Sequence, residues 1–295
     1  MTDERPTIRP VTLPRLVELV YLCDGTCQQT ADIEEALDVT HRRARETILE
    51  GLRINLIVES DEDTYETSTS GRQLLDAVRS ESWSDVSQVL ETQSPHYGAF
   101  LDVLDEQGSV SLNNLLAHLA ESADETPYTY NQASVEVVGD WAERLGAVQR
   151  HAFTGDYYRV EHDTVPTNFQ QVLLEEYDRL EETTGVNLRQ RYLSIPQLRE
   201  QGCERLRCTR TAFDAGLLSL CRQNVGKLEL SGAPLDTTAK DAALGIKQIQ
   251  LIEGPRLVST SQSTERVMQG IEQFDKQYYY LAVHDHKLTF TSEEQ

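Results

Sequence analysis

The sequence predicts a helix-rich α+β protein built from two or three tandem modules, each closed by a short β-hairpin. Three observations predict this. Apolar residues recur at helical spacing in short runs. Groups of such runs are followed by two strand-like segments around a polar turn. The same order returns along 295 residues, a length of about two domains that also allows three small ones.

The elements follow in order. "LPRLVELVYLC" reads as a first helix. "TADIEEAL" is a second, with Thr30 as N-cap and Ile33, Ala36 and Leu37 inward. After the turn "DVT", "HRRARETILEGLR" is a third helix. Ala44, Ile48 and Leu52 form its inner stripe, leaving Arg42, Arg43, Glu46, Glu50 and Arg53 outward. "NLIVES" and "TYETS" flank the turn "DEDT" as a hairpin, and "TSGRQLLDAVRS" starts another helix after a Ser/Thr cap. These residues make a first module over 1–80. Residues 81–94, acidic and rich in serine, read as a partly helical linker.

The second module, 95–165, repeats the order with "HYGAFLDVLDEQG", "SVSLNNLLAHLAESA", a turn containing proline, and "YNQASVEVVGDWAERLG". A hairpin forms around "FTGD". In the third of these helices Asn131, Val135, Val138, Trp141 or Ala142 and Leu145 share one stripe. An acid-rich helix at 168–183 is read as a connector over 166–186 and as a candidate dimerisation element. The third module, 187–295, has helices in "SIPQLREQGCERL" and "RTAFDAGLLSLCRQNVG". Strands follow in "KLELSGAPL" and "KQIQLIEGPRLVS". A capped helix with Val267, Ile271 and Phe274 inward and the strand-like "YYYLAVHDHKLTF" complete it.

Helix, helix, turn, helix, hairpin, together with the short "DVT" turn and the "TSG" after the hairpin, resembles the winged helix-turn-helix superfamily, as in archaeal transcription regulators. The resemblance covers about 70 residues at the start, and the later modules look like tandem copies. It implies a DNA-binding or regulatory protein in which the start of the third helix meets base edges.

Charge bears on that expectation. The chain has 49 acidic and 27 basic residues, a net charge of −22, and only five of the basic residues are lysine. Such a surface is similar to that of proteins from salt-loving archaea. At molar salt the Debye length is about 3 Å, so contact with DNA would rest on short-range arginine hydrogen bonds. Two places stand out. "THRRAR" at the first turn of the third helix is the densest basic cluster. Residues 187–227 carry Arg189, Arg191, Arg199, Arg205, Arg207, Arg210, Arg222 and Lys227 against Glu200, Glu204 and Asp214.

The candidate DNA contacts are therefore Thr40, His41, Arg42, Arg43 and Arg45 in the first module. In the third they are Arg207, Thr209, Arg210, Thr211, Arg222 and Lys227. A plainer reading stands beside each set. Arg42 is i, i+4 from Glu46 and forms a solvated pair, His41 is a surface residue near the cap, and the later arginines pair with the acids of "LLEEYDRLEE". The second module turns Gln132, Glu136, Asp140 and Glu143 outward, a face hostile to phosphate, and reads as a protein-facing spacer. Its Tyr128 and Tyr130 fit turn packing better than base stacking.

The chemistry-bearing motifs are missing. There is no Walker A loop, G-x-G-x-x-G, H-E-x-x-H or G-x-S-x-G. The five cysteines at 23, 27, 203, 208 and 221 lack nearby histidines at zinc spacing and read as reduced thiols. "HDH" at 284–286 offers two ligands at most. The expectation is a cytoplasmic, non-enzymatic protein with no cofactor, no metal and no membrane span. It is expected to bind double-stranded DNA as a regulator or recognition subunit, and a homodimer is possible. The alternative is a scaffold whose winged helices bind protein within a larger assembly such as replication, chromosome maintenance or defence.

Overall fold

Helix α1 (Leu13–Leu22) places Pro14 in its first turn, where the missing N–H has no helical partner to lose. It buries Leu13, Leu16, Val17, Leu19 and Val20. This computed structural model describes residues 6–123, 127–183, 192–232, 242–254 and 256–291. The fold is α+β, about 51% helical, with small antiparallel sheets. The chain divides into two compact units, Met1–Val148 with Lys247–Gln262 and Gln149–Ile246 with Ser263–Gln295.

In the first unit, α1 leads through β1 (Gln28–Gln29) into α2 (Thr30–Leu37). Thr30 is the first helical residue rather than the N-cap. Asp32 accepts the Gln29 N–H (3.0 Å), and the Thr30 hydroxyl is bonded to Asp63 instead. Asp38, left-handed at φ 51°, ends α2 and opens a three-residue turn into α3 (His41–Arg53). Strands β2 (Ile57–Asp61) and β3 (Thr64–Thr67) pair antiparallel, and β1 adds to β3, giving the order β1-β3-β2. Helix α4 (Thr69–Arg79) is capped by Ser68, whose Oγ accepts the Gly71 N–H at 2.9 Å. Position 71 has to be glycine, because a Cβ there would lie 2.1 Å from the Leu56 carbonyl oxygen.

The expected linker at 81–94 is a helix along most of its length, α5 (Trp83–Gln93), which buries Val86 and Leu90. Helices α6 (Pro95–Gln107), α7 (Leu112–Ala123) and α8 (Gln132–Arg144) follow. On α8 the stripe Val135, Val138, Trp141 and Ala142 is buried, and Asn131 is the N-cap, accepting the Ser134 N–H at 2.9 Å. The first two helical groups share one unit because the segment at residues 6–12 is tied to both. Trp141 Nε1 donates to the Val11 carbonyl (3.0 Å) and the Thr129 N–H to that of Pro6 (2.8 Å). The Arg9 N–H donates to Glu50 Oε2 (3.1 Å).

That last bond corrects the expectation for α3. Glu50 is fully buried, not outward, and the Arg53 side chain is only 8% exposed. Arg53 bonds both Glu50 oxygens, and Arg9 Nη1 lies 3.7 Å from Oε2. Arg53 Nη1 also meets His96 Nδ1 at 3.3 Å, while His96 Nε2 faces the carbonyls of Pro6 (3.1 Å) and Thr129 (3.3 Å). Those partners require a neutral ring, with Nε2–H donating and Nδ1 accepting. Burial, and then the Arg53 charge, push the His96 pKa below 6.5.

The hairpin β4 (Val148–Arg150) with β5 (Tyr157–Arg159) starts at the last residue of this stretch of the first unit and otherwise lies in the second. Next comes α9 (Phe169–Thr183), which is a core helix and not a connector. Phe169, Val172, Leu173 and Tyr177 join the hydrophobic cluster of α10 (Ile195–Leu206) and α11 (Arg210–Gln223). Strands β6 (Leu193–Ser194), β7 (Leu228–Ser231) and, far along the chain, β12 (Tyr280–Val283) form a sheet in the order β6-β12-β7. Between β7 and β12 lies the hairpin β8 (Ile246–Leu251) with β9 (Val258–Ser263), nearly all of it part of the first unit. Helix α12 (Thr264–Met268) follows, then a second hairpin, β10 (Ile271–Gln273) with β11 (Lys276–Tyr278). The expected helix over 264–277 is thus one short turn plus this hairpin. Val267 and Ile271 are inward as expected, but Phe274 is at the exposed tip.

Glu50→Ala strands two buried guanidinium groups and is expected to cost about 3–5 kcal/mol in denaturant unfolding. Arg42→Ala on the same helix, at a fully solvated position, should leave the midpoint unchanged. His96 gives a pH dependence. Its folded pKa is depressed, so its contribution to stability is complete above about pH 6.5 and falls as acid protonates the unfolded chain first. The thermal midpoint should drop below that pH, before ordinary carboxylates titrate, and His96→Gln should flatten the drop.

Candidate nucleic-acid interface

The start of α3 exposes three arginines, Arg42, Arg43 and Arg45, beside His41. Thr40 holds the N-cap position with an extended backbone, but its side chain makes no cap bond, and no acid lies in the first turn. His41 is 64% exposed and meets Glu34 Oε2 at 3.1 Å. Arg42 is 87% exposed and donates from Nε to Glu46 (3.1 Å), which is the solvated i, i+4 pair that its spacing allows. Arg43 is exposed, and among the described residues no side chain or carbonyl holds its guanidinium. Arg45 is exposed as well and is near Asp63. The Asp63 carboxyl is held below its ordinary value, first by the Thr30 hydroxyl and to a lesser degree by Arg45.

A groove of about 580 Å³ opens beside this helix start. Pro10, Val11 and Val39 supply apolar lining, and Arg15, Arg42 and Arg43 supply charge. The adjoining hairpin is of opposite sign, since Glu59, Asp61, Glu62 and Asp63 are all exposed or partly exposed at or near its tip. Any phosphate contact in this head is confined to the helix start.

The corresponding face of α8 is occupied from within the first unit. Gln132 and Glu136 are exposed and bonded to each other (2.8 Å). Asp140 and Glu143 hold Lys247 of the β8–β9 hairpin at 3.3 and 3.0 Å. Arg144 pairs with Asp140 and donates to the carbonyls of Gln248 (3.1 Å) and Ser261 (3.2 Å). Tyr128 and Tyr130 rest against the His96 ring, with centroids at 5.3 and 4.9 Å.

In the second unit the basic stretch is largely consumed internally. Arg210, expected to face outward, is turned in. It bonds both oxygens of buried Glu200 (2.6 and 2.8 Å), the Arg150 carbonyl (3.1 Å) and Gln149. Burial alone would raise the Glu200 pKa, but the Arg210 hydrogen bonds and charge hold it below the ordinary value. Arg199 is buried against Asp214 (2.7 Å), and Arg205 pairs with Glu175 and Glu176. Arg207 is left-handed (φ 53°) at the end of α10 and lies over the Tyr158 ring at 5.9 Å, with Nη1 buried and unpartnered. Lys227 donates to the Lys287 carbonyl. Arg189 and Arg191 fall outside the described residues.

Thr209 is a true N-cap, accepting the Ala212 N–H at 3.1 Å. On the outer side of α11, Thr211, Ala215, Arg222 and Gln223 are exposed and Ser219 is half-buried. Sequence reasoning missed the Glu200–Arg210 pair. Its one signal is spacing, since ten residues across a tight helical turn bring two such faces together.

All five cysteines are free thiols, and burial pushes Cys23 and Cys221 up to about 12. His284 pairs with Glu229 (2.9 Å) and His286 with Asp178 (2.8 Å), so the "HDH" histidines serve separate acids. Among the described residues no group of three His, Cys, Asp or Glu is arranged to hold a metal ion, and no helix is long and apolar enough to cross a membrane. No family model, no curated protein and no solved structure matches this chain.

Arg210→Ala leaves Glu200 buried without its cation. It is expected to lower stability by about 3–5 kcal/mol, seen as a lower urea midpoint, whereas Arg222→Ala at the exposed end of α11 should leave that midpoint in place.

Proposed function

We propose that the chain is a non-enzymatic DNA-binding protein, a transcription regulator or a recognition subunit, that grips duplex DNA through the start of α3. The observation that carries the reading is Arg43, exposed and with no partner among the described residues, beside Arg42 and Arg45 in a protein of net charge −22. An arginine in the first turn is unfavourable for the helix dipole unless an anion offsets it. Guanidinium groups there have the reach and geometry for guanine edges or phosphate.

The winged-helix reading draws support from topology in both units. The order α1, β1, α2, α3, β2, β3 with sheet β1-β3-β2 has a counterpart in α9, β6, α10, α11, β7, β12 with sheet β6-β12-β7. In that scheme α11 is the second reading helix, with Thr211, Arg222 and Gln223 as its contacts. The acidic surface and the scarcity of lysine fit a protein adapted to high salt.

A second reading, a scaffold that uses these modules to bind protein, is favoured by the inward pairing of Arg199, Arg205 and Arg210 and by the acidic hairpin of the first unit. Binding of a fluorescent duplex at moderate and at molar salt separates the two. On the DNA reading, Arg43→Ala weakens the complex more than Arg42→Ala, whose side chain is already engaged by Glu46. The salt slope then falls by about 0.9 for each phosphate that is no longer neutralised. Arg222→Ala should weaken the complex less. No duplex affinity in either salt, or affinity indifferent to Arg42 and Arg43 together, would leave the scaffold reading.

A further inference from the structure

The tip of the β10–β11 hairpin carries an aromatic ring that its own unit does not use. Phe274 is 83% exposed. It and Asp275 form a two-residue turn between paired Gln273 and Lys276, and both are left-handed, at φ 52° and 58°. Turns of this type favour Asn-Gly, and a bulky side chain is strained there. The ring is therefore solvated and its backbone strained, and among the described residues no hydrogen bond, ion pair or ring contact engages the Phe274 side chain.

The charges around it indicate what would cover it. Glu272 and Asp275 are exposed near Phe274 in the hairpin, as is Lys276. Two carboxylates at the tip repel a phosphate backbone and suit an apolar pocket with a basic rim. The first unit carries a groove of about 580 Å³ whose lining includes Pro10, Val39, Arg15, Arg42, Arg43 and Glu46. Arg42 is paired with Glu46 and Arg15 with Glu18, which leaves Arg43 as its unpaired charge among the described residues.

We propose that the protein self-associates by seating the Phe274 tip of one copy in the arginine-rimmed groove of a second copy. The ring covers exposed Pro10 and half-buried Val39, and Asp275 faces Arg43, the groove's arginine without a partner among the described residues. The two surfaces differ, so the contact is head-to-tail rather than two-fold symmetric. A single knob is smaller than a standard interface, which makes the association weak and dependent on concentration. Molar salt screens the repulsion between copies of charge −22 and leaves the apolar part intact, so salt promotes it. The inference does not depend on DNA binding, but it also uses Arg43, and the two contacts compete.

Sedimentation equilibrium of the whole chain at moderate and molar salt tests this. The average mass is expected to rise with concentration, more so in molar salt. Phe274→Asn should weaken association about tenfold or more, with an unchanged or higher thermal midpoint because Asn tolerates the left-handed turn. Arg43→Glu should weaken it too, and adding Asp275→Arg should restore it. A wild-type protein that stays monomeric throughout overturns the proposal, as does a Phe274→Asn variant that associates like the wild type. Duplex affinity of dilute Phe274→Asn is expected to match wild type. A drop there with unaltered mass would assign the ring to nucleic acid instead.

Discussion

A carboxylate with no access to water must be surrounded before the helix that carries it can pack. In the first unit that carboxylate is Glu50, held by Arg53 from its own helix and by Arg9 from the N-terminal segment. His96 closes the cluster against the carbonyls of Pro6 and Thr129. One buried charge therefore fixes the rotation of α3, the path of residues 6–12 and the docking of α6. It also joins two helical groups that would otherwise form separate modules. Such a pair adds little net stability compared with an apolar replacement, but breaking one half of it is costly. Its effect is to make one arrangement of these elements much better than its neighbours.

The second unit uses the same device in a different place, and the difference decides which arginines stay free. Its buried acid, Glu200, sits on α10, the helix before the candidate reading helix, and it takes Arg210 from the first turn of α11. In the first unit the buried acid sits in the last turn of α3 and takes Arg53 from that same turn, so the arginines at the other end of the helix are left to solvent. Two helices with similar basic starts thus end with opposite fates. Local charge counts cannot distinguish them, because the deciding partner is set by which face of a neighbouring helix is buried.

This marks how far the sequence is legible. Spacing placed α1 to α4, α6 to α8, α10 and α11, because their apolar stripes are regular and most of them, α2 with its Gln29 cap aside, start behind Ser, Thr or Asn. It undervalued α5 and α9, whose acidic and serine-rich surfaces look like linker although Val86, Leu90, Phe169 and Leu173 are buried. It misread 264–277, where Val267 and Ile271 fit a helical stripe but two left-handed residues turn the chain back at Phe274. For the site, the exposed arginines of the α3 start were legible from the stripe opposite them. Glu50, Arg53 and Arg210 were not, because a charged residue at a helical position reads as outward until its buried partner is known.

The first unit's polarity then constrains how any anion approaches. Carboxylates crowd the tip of the β2–β3 hairpin and arginines crowd the start of α3, with Arg45 and Asp63 close enough for their charges to interact. In molar salt, charges farther apart than a few ångströms scarcely interact. The acidic hairpin therefore does not repel a duplex held only by the helix start, provided that the hairpin stays clear of the backbone. A binding mode that lays both elements along DNA would bring Glu59, Asp61 and Glu62 against phosphate at contact range, where screening gives no relief. On the proposed reading, approach by the helix start alone is the arrangement in which both charge clusters are tolerable to an anionic partner.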